Sequence, residues 1–145
     1  MKRILVSILV LLAAAGCSHS KECHCRAYQK KYRRPLTETR WQLVQLDGRN
    51  VRSEAGAFTL TLSAAEGRIS GTGACNHLSG SYATDEKRAL KIGPVVLTRM
   101  ACPEAEQEQK FLGALEATTH YDMDGPMLML LCDGELRAVL QAVTE

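Results

Sequence analysis

Residues 71–82, GTGACNHLSGSY, place Cys75 two positions before His77 in a segment rich in glycine and hydroxyl side chains. A thiol with a base beside it is typical of a cysteine nucleophile. The same pair could supply half of a zinc site, and the glycines could form a phosphate cradle. Which chemistry applies depends on the elements that hold the loop.

A second cluster lies nearer the N-terminus, where Cys23, His24 and Cys25 are consecutive. Thiolate and imidazole ligands suit zinc or copper(I). A structural zinc site has four ligands in spaced pairs, and this cluster has no opposing pair. Two hypotheses stay open: a metal- or thiol-redox-handling module, or a disulfide from Cys23 or Cys25 to Cys132 or to another protein.

The N-terminal segment has two basic residues followed by an apolar run over residues 4–15. The run is shorter than the roughly 20 residues of a membrane span, and it is typical of a secretory signal. Its end, Gly16-Cys17, resembles the lipobox of bacterial lipoproteins. That resemblance implies cleavage before Cys17 and acylation of Cys17, for example with palmitate. The alternative is an ordinary signal peptide with an incidental cysteine.

We therefore divide the chain into a lipoprotein signal peptide (residues 1–16), a lipidated, flexible, basic tether (17–39) and one domain (40–145). Residues 18–40 contain seven Lys or Arg and two Glu, whereas residues 41–145 contain nine basic and fourteen acidic residues. A basic segment beside a lipid anchor is attracted to anionic head groups. The acidic domain argues against nucleic-acid binding.

The domain begins with strand patterns, of which AFTLTLS alternates through Phe58, Leu60 and Leu62. Asp-Gly pairs at 47–48 and 133–134 predict turns. One segment has helical spacing instead, and predicts a helix over residues 103–118; its mostly apolar face consists of Ala105, Glu108, Phe111, Leu112, Leu115 and Thr119. We expect an α+β domain with seven or eight short antiparallel strands curved around one α-helix.

Two motifs and a flanking tryptophan resemble the META domain of HslJ-like bacterial envelope lipoproteins. The first motif is G-x-C-N-x-x-x-G-x-Y and the second is T-x-M-A-C leading into a helix. The matching residues are Trp41, Cys75, Asn76, Gly80, Tyr82, Thr98, Met100, Ala101 and Cys102. The resemblance implies an envelope protein linked to heat and envelope stress, with no established enzymatic reaction and no cofactor.

Cys75 and Cys102 lie in these two motifs, and cysteines of a secreted chain tend to pair. We prefer a Cys75–Cys102 disulfide, with Cys132 as a competing partner. His77 has no orienting residue placed by sequence, so we expect no catalytic residue, and Asn76 is expected to bond local backbone. The sequence predicts a non-enzymatic lipoprotein without a cofactor. We expect it to be anchored to the membrane, with Ser18 favouring the outer membrane facing the periplasm, and to contact an unidentified envelope protein.

Overall fold

The computed structural model describes residues 19–52 and 54–143, with side chains described from His24 onward. Cys17 and the proposed signal peptide lie outside these residues. The described part contains two helices, α1 (His19–Tyr32) and α2 (Ala105–Glu116). Neither helix has the length and apolar character needed to cross a membrane.

Ten strands are present in the described residues. They are β1 (Arg40–Leu46), β2 (Arg49–Asn50), β3 (Thr59–Ser63), β4 (Arg68–Thr72), β5 (His77–Thr84), β6 (Leu90–Ile92), β7 (Val96–Leu97), β8 (His120–Asp124), β9 (Met127–Cys132) and β10 (Glu135–Ala142). All pairings are antiparallel, in the order β6-β5-β4-β3-β1-β10-β9-β8, with β2 on β1 and β7 on β5.

Strand β3 forms where apolar and polar side chains alternate. In β3, Leu60 and Leu62 are fully buried while Thr61 between them is half-buried. The predicted turns at residues 47–48 and 133–134 both have positive φ at Asp and Gly, as tight hairpin turns require. These local signals therefore produce the strands and turns expected from them.

The two outer strands of the sheet, β6 and β8, approach each other and nearly close a barrel. An isolated bridge joins Ala89 to His120. The Leu90 N–H donates to Thr119 O at 2.9 Å, and the Tyr121 N–H donates to Arg88 O at 3.0 Å. The result is one domain that consists mostly of antiparallel strands.

The apolar face of α2 completes the core of this domain. Phe111 is fully buried and its ring meets that of Phe58 edge to face, with centroids 5.8 Å apart. Trp41 is also fully buried, and its indole N–H donates to Leu36 O at 3.0 Å.

The expected α+β class is therefore corrected to a nearly closed, barrel-like β fold, with ten strands and two helices among the described residues. Two of the unexpected strands, β2 and β7, have only two residues each, which is too short for a period-two pattern to be visible. The second helix, α1, occupies residues for which the sequence predicts a flexible tether with a helical turn at 26–32. Its run of long polar side chains has good helix propensity, and it contacts the turn between β8 and β9.

Candidate functional site

Cys75 and Cys102 form a disulfide with their Cα atoms 5.7 Å apart. This is the pairing preferred from the sequence. The competing partner, Cys132, is a free thiol. The bond joins the loop between β4 and β5 to the segment that leads from β7 into α2. With its sulfur bonded, Cys75 has no thiolate to act as a nucleophile.

Asn76 is the neighbouring motif residue, and only 4% of it is exposed. Its Oδ1 accepts hydrogen bonds from the Thr98 hydroxyl at 2.9 Å and from the Met100 N–H at 2.7 Å. Its Nδ2 donates to Glu108 Oε2 at 2.8 Å and to Met100 O at 3.4 Å. The expected local turn bond is thus replaced by contacts with two distant segments of the chain.

Glu108 on α2 is a carboxylate that is 98% buried, since its exposed fraction is 2%. Its Oε1 accepts the N–H groups of Asn76 at 3.0 Å and Cys75 at 3.2 Å. Burial raises its pKa, but hydrogen bonds from Asn76, Cys75 and the Ala74 backbone together hold the pKa of Glu108 below its ordinary value. The buried carboxylate is therefore stabilised in its charged form by the loop it holds.

Gly73 lets this carboxylate come close to the loop. A Cβ at Gly73 would lie 2.3 Å from Glu108 Oε1, which is an impossible contact. The Gly73 N–H donates to Asn76 O at 2.7 Å, and its carbonyl accepts from the Phe58 N–H at 2.8 Å. We call the disulfide, Asn76, Thr98 and Glu108 the motif cluster.

The remaining motif residues also have contacts within the fold. Tyr82 donates its hydroxyl to Ser63 O at 3.3 Å, and burial, followed by the charge of Glu38, raises its pKa. Gly80 lies on β5, where a Cβ would come within 3.1 Å of Pro94 O. Met100 differs, because its backbone is bonded to Asn76 while 54% of the residue is exposed.

His77 does not join the motif cluster through its ring. Its N–H donates to the Thr98 hydroxyl at 3.1 Å, its carbonyl accepts from the Thr98 N–H, and the residue is exposed at the start of β5. Among the described side chains, none hydrogen-bonds to the His77 imidazole. Of the two residues that suggested a nucleophile and a base, Cys75 is held in a disulfide and His77 is exposed to solvent.

The second cluster lies on α1. His24 and Cys25 line a shallow, open depression together with Tyr28, Gln29 and Asp124. Cys25 is exposed and its thiol is free, while the Asp124 carboxylate accepts a hydrogen bond from the Gln29 amide. The Cys23 side chain lies outside the described residues. Within the described residues, no three His, Cys, Asp or Glu side chains are arranged to hold a metal ion.

Glu108 is the residue of the motif cluster that the sequence analysis does not assign to a site. The signal was present, because Glu108 is the charged member of the mostly apolar helix face. A charge at such a position predicts a buried partner. The identity of that partner is invisible locally, since Asn76 lies 32 residues away in the chain.

Comparison with known proteins gives a match to the model of the META domain over residues 34–144. A protein from Burkholderia xenovorans, solved by NMR, is 32% identical with a TM-score of 0.58, covering 83% of this chain and 88% of its own. A second NMR structure is 20% identical, with a TM-score of 0.57 and coverage of 72% and 89%. A crystal structure of a DUF4847 family protein from Bacteroides vulgatus shares the fold at 19% identity, with a TM-score of 0.55 and coverage of 76% and 94%. The curated proteins give no match.

Proposed function

The chain belongs to the META domain family, and from this premise we propose that it is a non-enzymatic lipoprotein of the bacterial cell envelope. It acts in stress tolerance through contacts with an envelope protein. The observation that carries the proposal is that the polar and sulfur groups of the motif cluster are bonded to one another. Cys75 is bonded to Cys102, and Asn76 uses both side-chain polar atoms on Thr98, Met100 and Glu108.

The motif cluster holds an exposed surface next to it. We define the 96–100 surface by Val96, Arg99 and Met100, all of which are exposed, with Val96 at 66% and Met100 at 54%. The Met100 backbone is bonded to Asn76 through both its N–H and its carbonyl. Apolar, methionine and arginine side chains on a rigid backbone suit a protein interface, because little conformational entropy is lost on binding.

A photo-crosslinking residue at Val96 tests this surface in intact cells. We expect it to capture one envelope protein, and Met100→Ser, introduced into the same chain, should reduce the yield several-fold. The matched control carries the photo-crosslinking residue at Lys87, which is also exposed but lies on the turn between β5 and β6. Identical products from the two positions, or no product from Val96 under stress, would count against the proposed contact.

The lipid anchor is proposed at Cys17, after removal of residues 1–16, with the domain held at the outer membrane and facing the periplasm. Acyl chains combined with a basic segment provide the two signals that stable anchoring requires. Cys17→Ala should prevent incorporation of labelled palmitate and leave either a released protein or an uncleaved precursor. Processing and detergent partitioning like those of the unchanged chain would contradict lipidation at this residue.

A further inference from the structure

Helix α1 is docked on the turn between β8 and β9. The Gln29 amide bonds this turn twice, donating to the Asp124 carboxylate and accepting from the Gly125 N–H at 2.9 Å. The Tyr28 ring lies over Gly125, where a Cβ would come within 2.9 Å of a ring carbon. Gly125 has a φ of 56°, so glycine serves both the turn and the close approach of the ring.

The docked residues occupy one face of α1. Cys25, Tyr28, Gln29 and Tyr32 follow the spacing i, i+3, i+4, i+7. Arg26 and Lys30, with the spacing i, i+4, begin one residue later and are rotated by roughly 100° from the docked residues Cys25 and Gln29, because each residue turns the helix by about 100°. We call this set the basic face; its members, Arg26 and Lys30, are both exposed, and the exposed Arg33 directly follows the end of α1.

The basic face is not neutralised by the described part of the protein. Residues 24–34 contain five Lys or Arg and no Asp or Glu. The ion pairs among the described side chains join Arg88 to Asp122, Lys110 to Glu106 and Arg137 to Asp47. None of them involves α1, so the docked helix presents a positive surface that no carboxylate of the described residues neutralises.

We infer that the basic face lies on anionic phospholipid head groups and, through the docking of α1, turns the β8–β9 end of the barrel toward the membrane. The inference rests on the proposed anchor, because α1 begins two residues after Cys17. Clustered Lys and Arg are attracted to an anionic bilayer surface. Residues 41–145 carry five more acidic than basic side chains, so the same surface repels the rest of the domain and favours one orientation.

The test reconstitutes the full chain, as processed by the cell, with neutral phosphatidylcholine vesicles and with vesicles that also contain phosphatidylglycerol. Trypsin cleavage after Lys31 or Arg33 reports the accessibility of the C-terminal end of α1. At low salt we expect cleavage to be about tenfold slower on the anionic vesicles, since each basic side chain near the surface contributes to binding. High salt should remove the protection.

Charge reversal identifies the surface responsible. Arg26→Glu with Lys30→Glu should abolish the protection, whereas the matched control Arg49→Glu with Arg52→Glu should retain it. The control changes the same amount of charge at two exposed residues that follow the C-terminal end of β1. Equal cleavage on both vesicle types, or protection that survives reversal of the basic face, overturns the inference.

The outcome is separable from that of the anchor. Retention on neutral vesicles after washing reports the acyl chains alone. A chain that washes off neutral vesicles but stays on anionic ones at low salt contradicts the anchor and supports the basic face. A chain that stays on both vesicle types and is cleaved equally on both supports the anchor and contradicts the basic face.

Orientation is measured with nitroxide-labelled head groups in anionic nanodiscs. The amide signals of Asp124 and Gly125 should be broadened more than those of residues 133–134, which lie at the opposite end of β9. Gln29→Ala removes both bonds to the turn and should reduce this difference while the trypsin protection of α1 persists. Equal broadening at the two turns of the unchanged chain would overturn the proposed orientation.

Discussion

The chain places cysteine beside histidine in two regions, and these regions differ in what surrounds the thiol. In the loop before β5, Cys75 is bonded to Cys102, and its N–H donates to a buried carboxylate. On α1, Cys25 is a free, exposed thiol beside an open depression. Residue type and short spacing are alike in the two regions, whereas burial and long-range partners are not.

The difference shows what a cysteine motif needs before it indicates chemistry. The motif cluster contains a buried charge, a buried amide and a disulfide, so its polar groups are committed to each other. In the α1 cluster His24 and Cys25 are exposed, and the described residues show no group of three His, Cys, Asp or Glu side chains that could hold a metal ion. We therefore expect substitutions in the first region to change the free energy of unfolding and substitutions in the second region to leave it nearly unaffected.

The largest effect is expected for the disulfide. Cys75→Ala with Cys102→Ala opens a loop with a sequence separation of 27. The unfolded chain then gains conformational entropy, and we expect a loss of about 3 to 4 kcal/mol in the free energy of unfolding. Denaturant titration of the oxidised protein checks this value, and reduction of the unchanged chain should reproduce most of it. A loss below about 1 kcal/mol would mean that the disulfide adds little to the fold.

Glu108→Gln is next. The amide places N–H donors where the carboxylate accepts hydrogen bonds from Asn76 and Cys75, so at least one buried donor loses its partner. We expect destabilisation of about 2 to 3 kcal/mol in the same titration. Glu106→Gln is the matched control, because Glu106 is exposed and bonded to Lys110 on the same helix. If the two variants unfold alike, the buried network does not stabilise the protein.

The same carboxylate predicts a dependence on pH. The pKa of Glu108 is lower in the folded protein than its ordinary value of 4.5. Its stabilisation is therefore fully present above about pH 4.5 and is lost as the pH falls through the folded pKa. The stability gap between the unchanged chain and Glu108→Gln should narrow between about pH 7 and pH 3. A constant gap in denaturant titrations across this range would contradict the assignment.

His77→Ala should have a small effect. The ring is exposed, and the bonds of His77 to Thr98 use its backbone N–H and carbonyl, which alanine retains. We expect a change of less than about 0.5 kcal/mol in thermal or denaturant unfolding. Thr98→Val is the informative companion, since it removes the hydroxyl that bonds both Asn76 and His77. A larger loss for His77→Ala than for Thr98→Val would show that the imidazole has a role in the folded protein.

The smallest effect on stability is expected on α1. His24→Ala with Cys25→Ala should leave the unfolding of the META domain unchanged, because both side chains lie outside its core. In the folded protein without reductant, iodoacetamide should alkylate Cys25 but neither Cys75 nor Cys102. Alkylation of Cys75 under these conditions would remove the contrast between the two regions.

Features with local causes were predictable from the sequence. The alternation of β3 and the Asp-Gly turns depend on neighbouring residues, and the structure contains them. The helix predicted over residues 103–118 corresponds to α2, which spans Ala105–Glu116. Strands of two residues and the helicity of α1 carried no comparable pattern. The expected single domain of antiparallel strands with a helix is present, but it is more β than α+β. The near closure between β6 and β8 was not predictable, because it depends on pairs such as Ala89 and His120, which are far apart in the chain.

By itself, the sequence determined the longer strands such as β3, the helix α2 and the two motifs, because hydrophobic periodicity and turn chemistry act over a few residues. Only the tertiary structure decided what the motif residues do. In the sequence, Glu108 is one charge on an apolar helix face. In the folded protein, the N–H groups of Cys75 and Asn76 donate to its carboxylate. A buried charge is stable only with such partners. Their positions depend on packing across the whole domain, which no local pattern encodes.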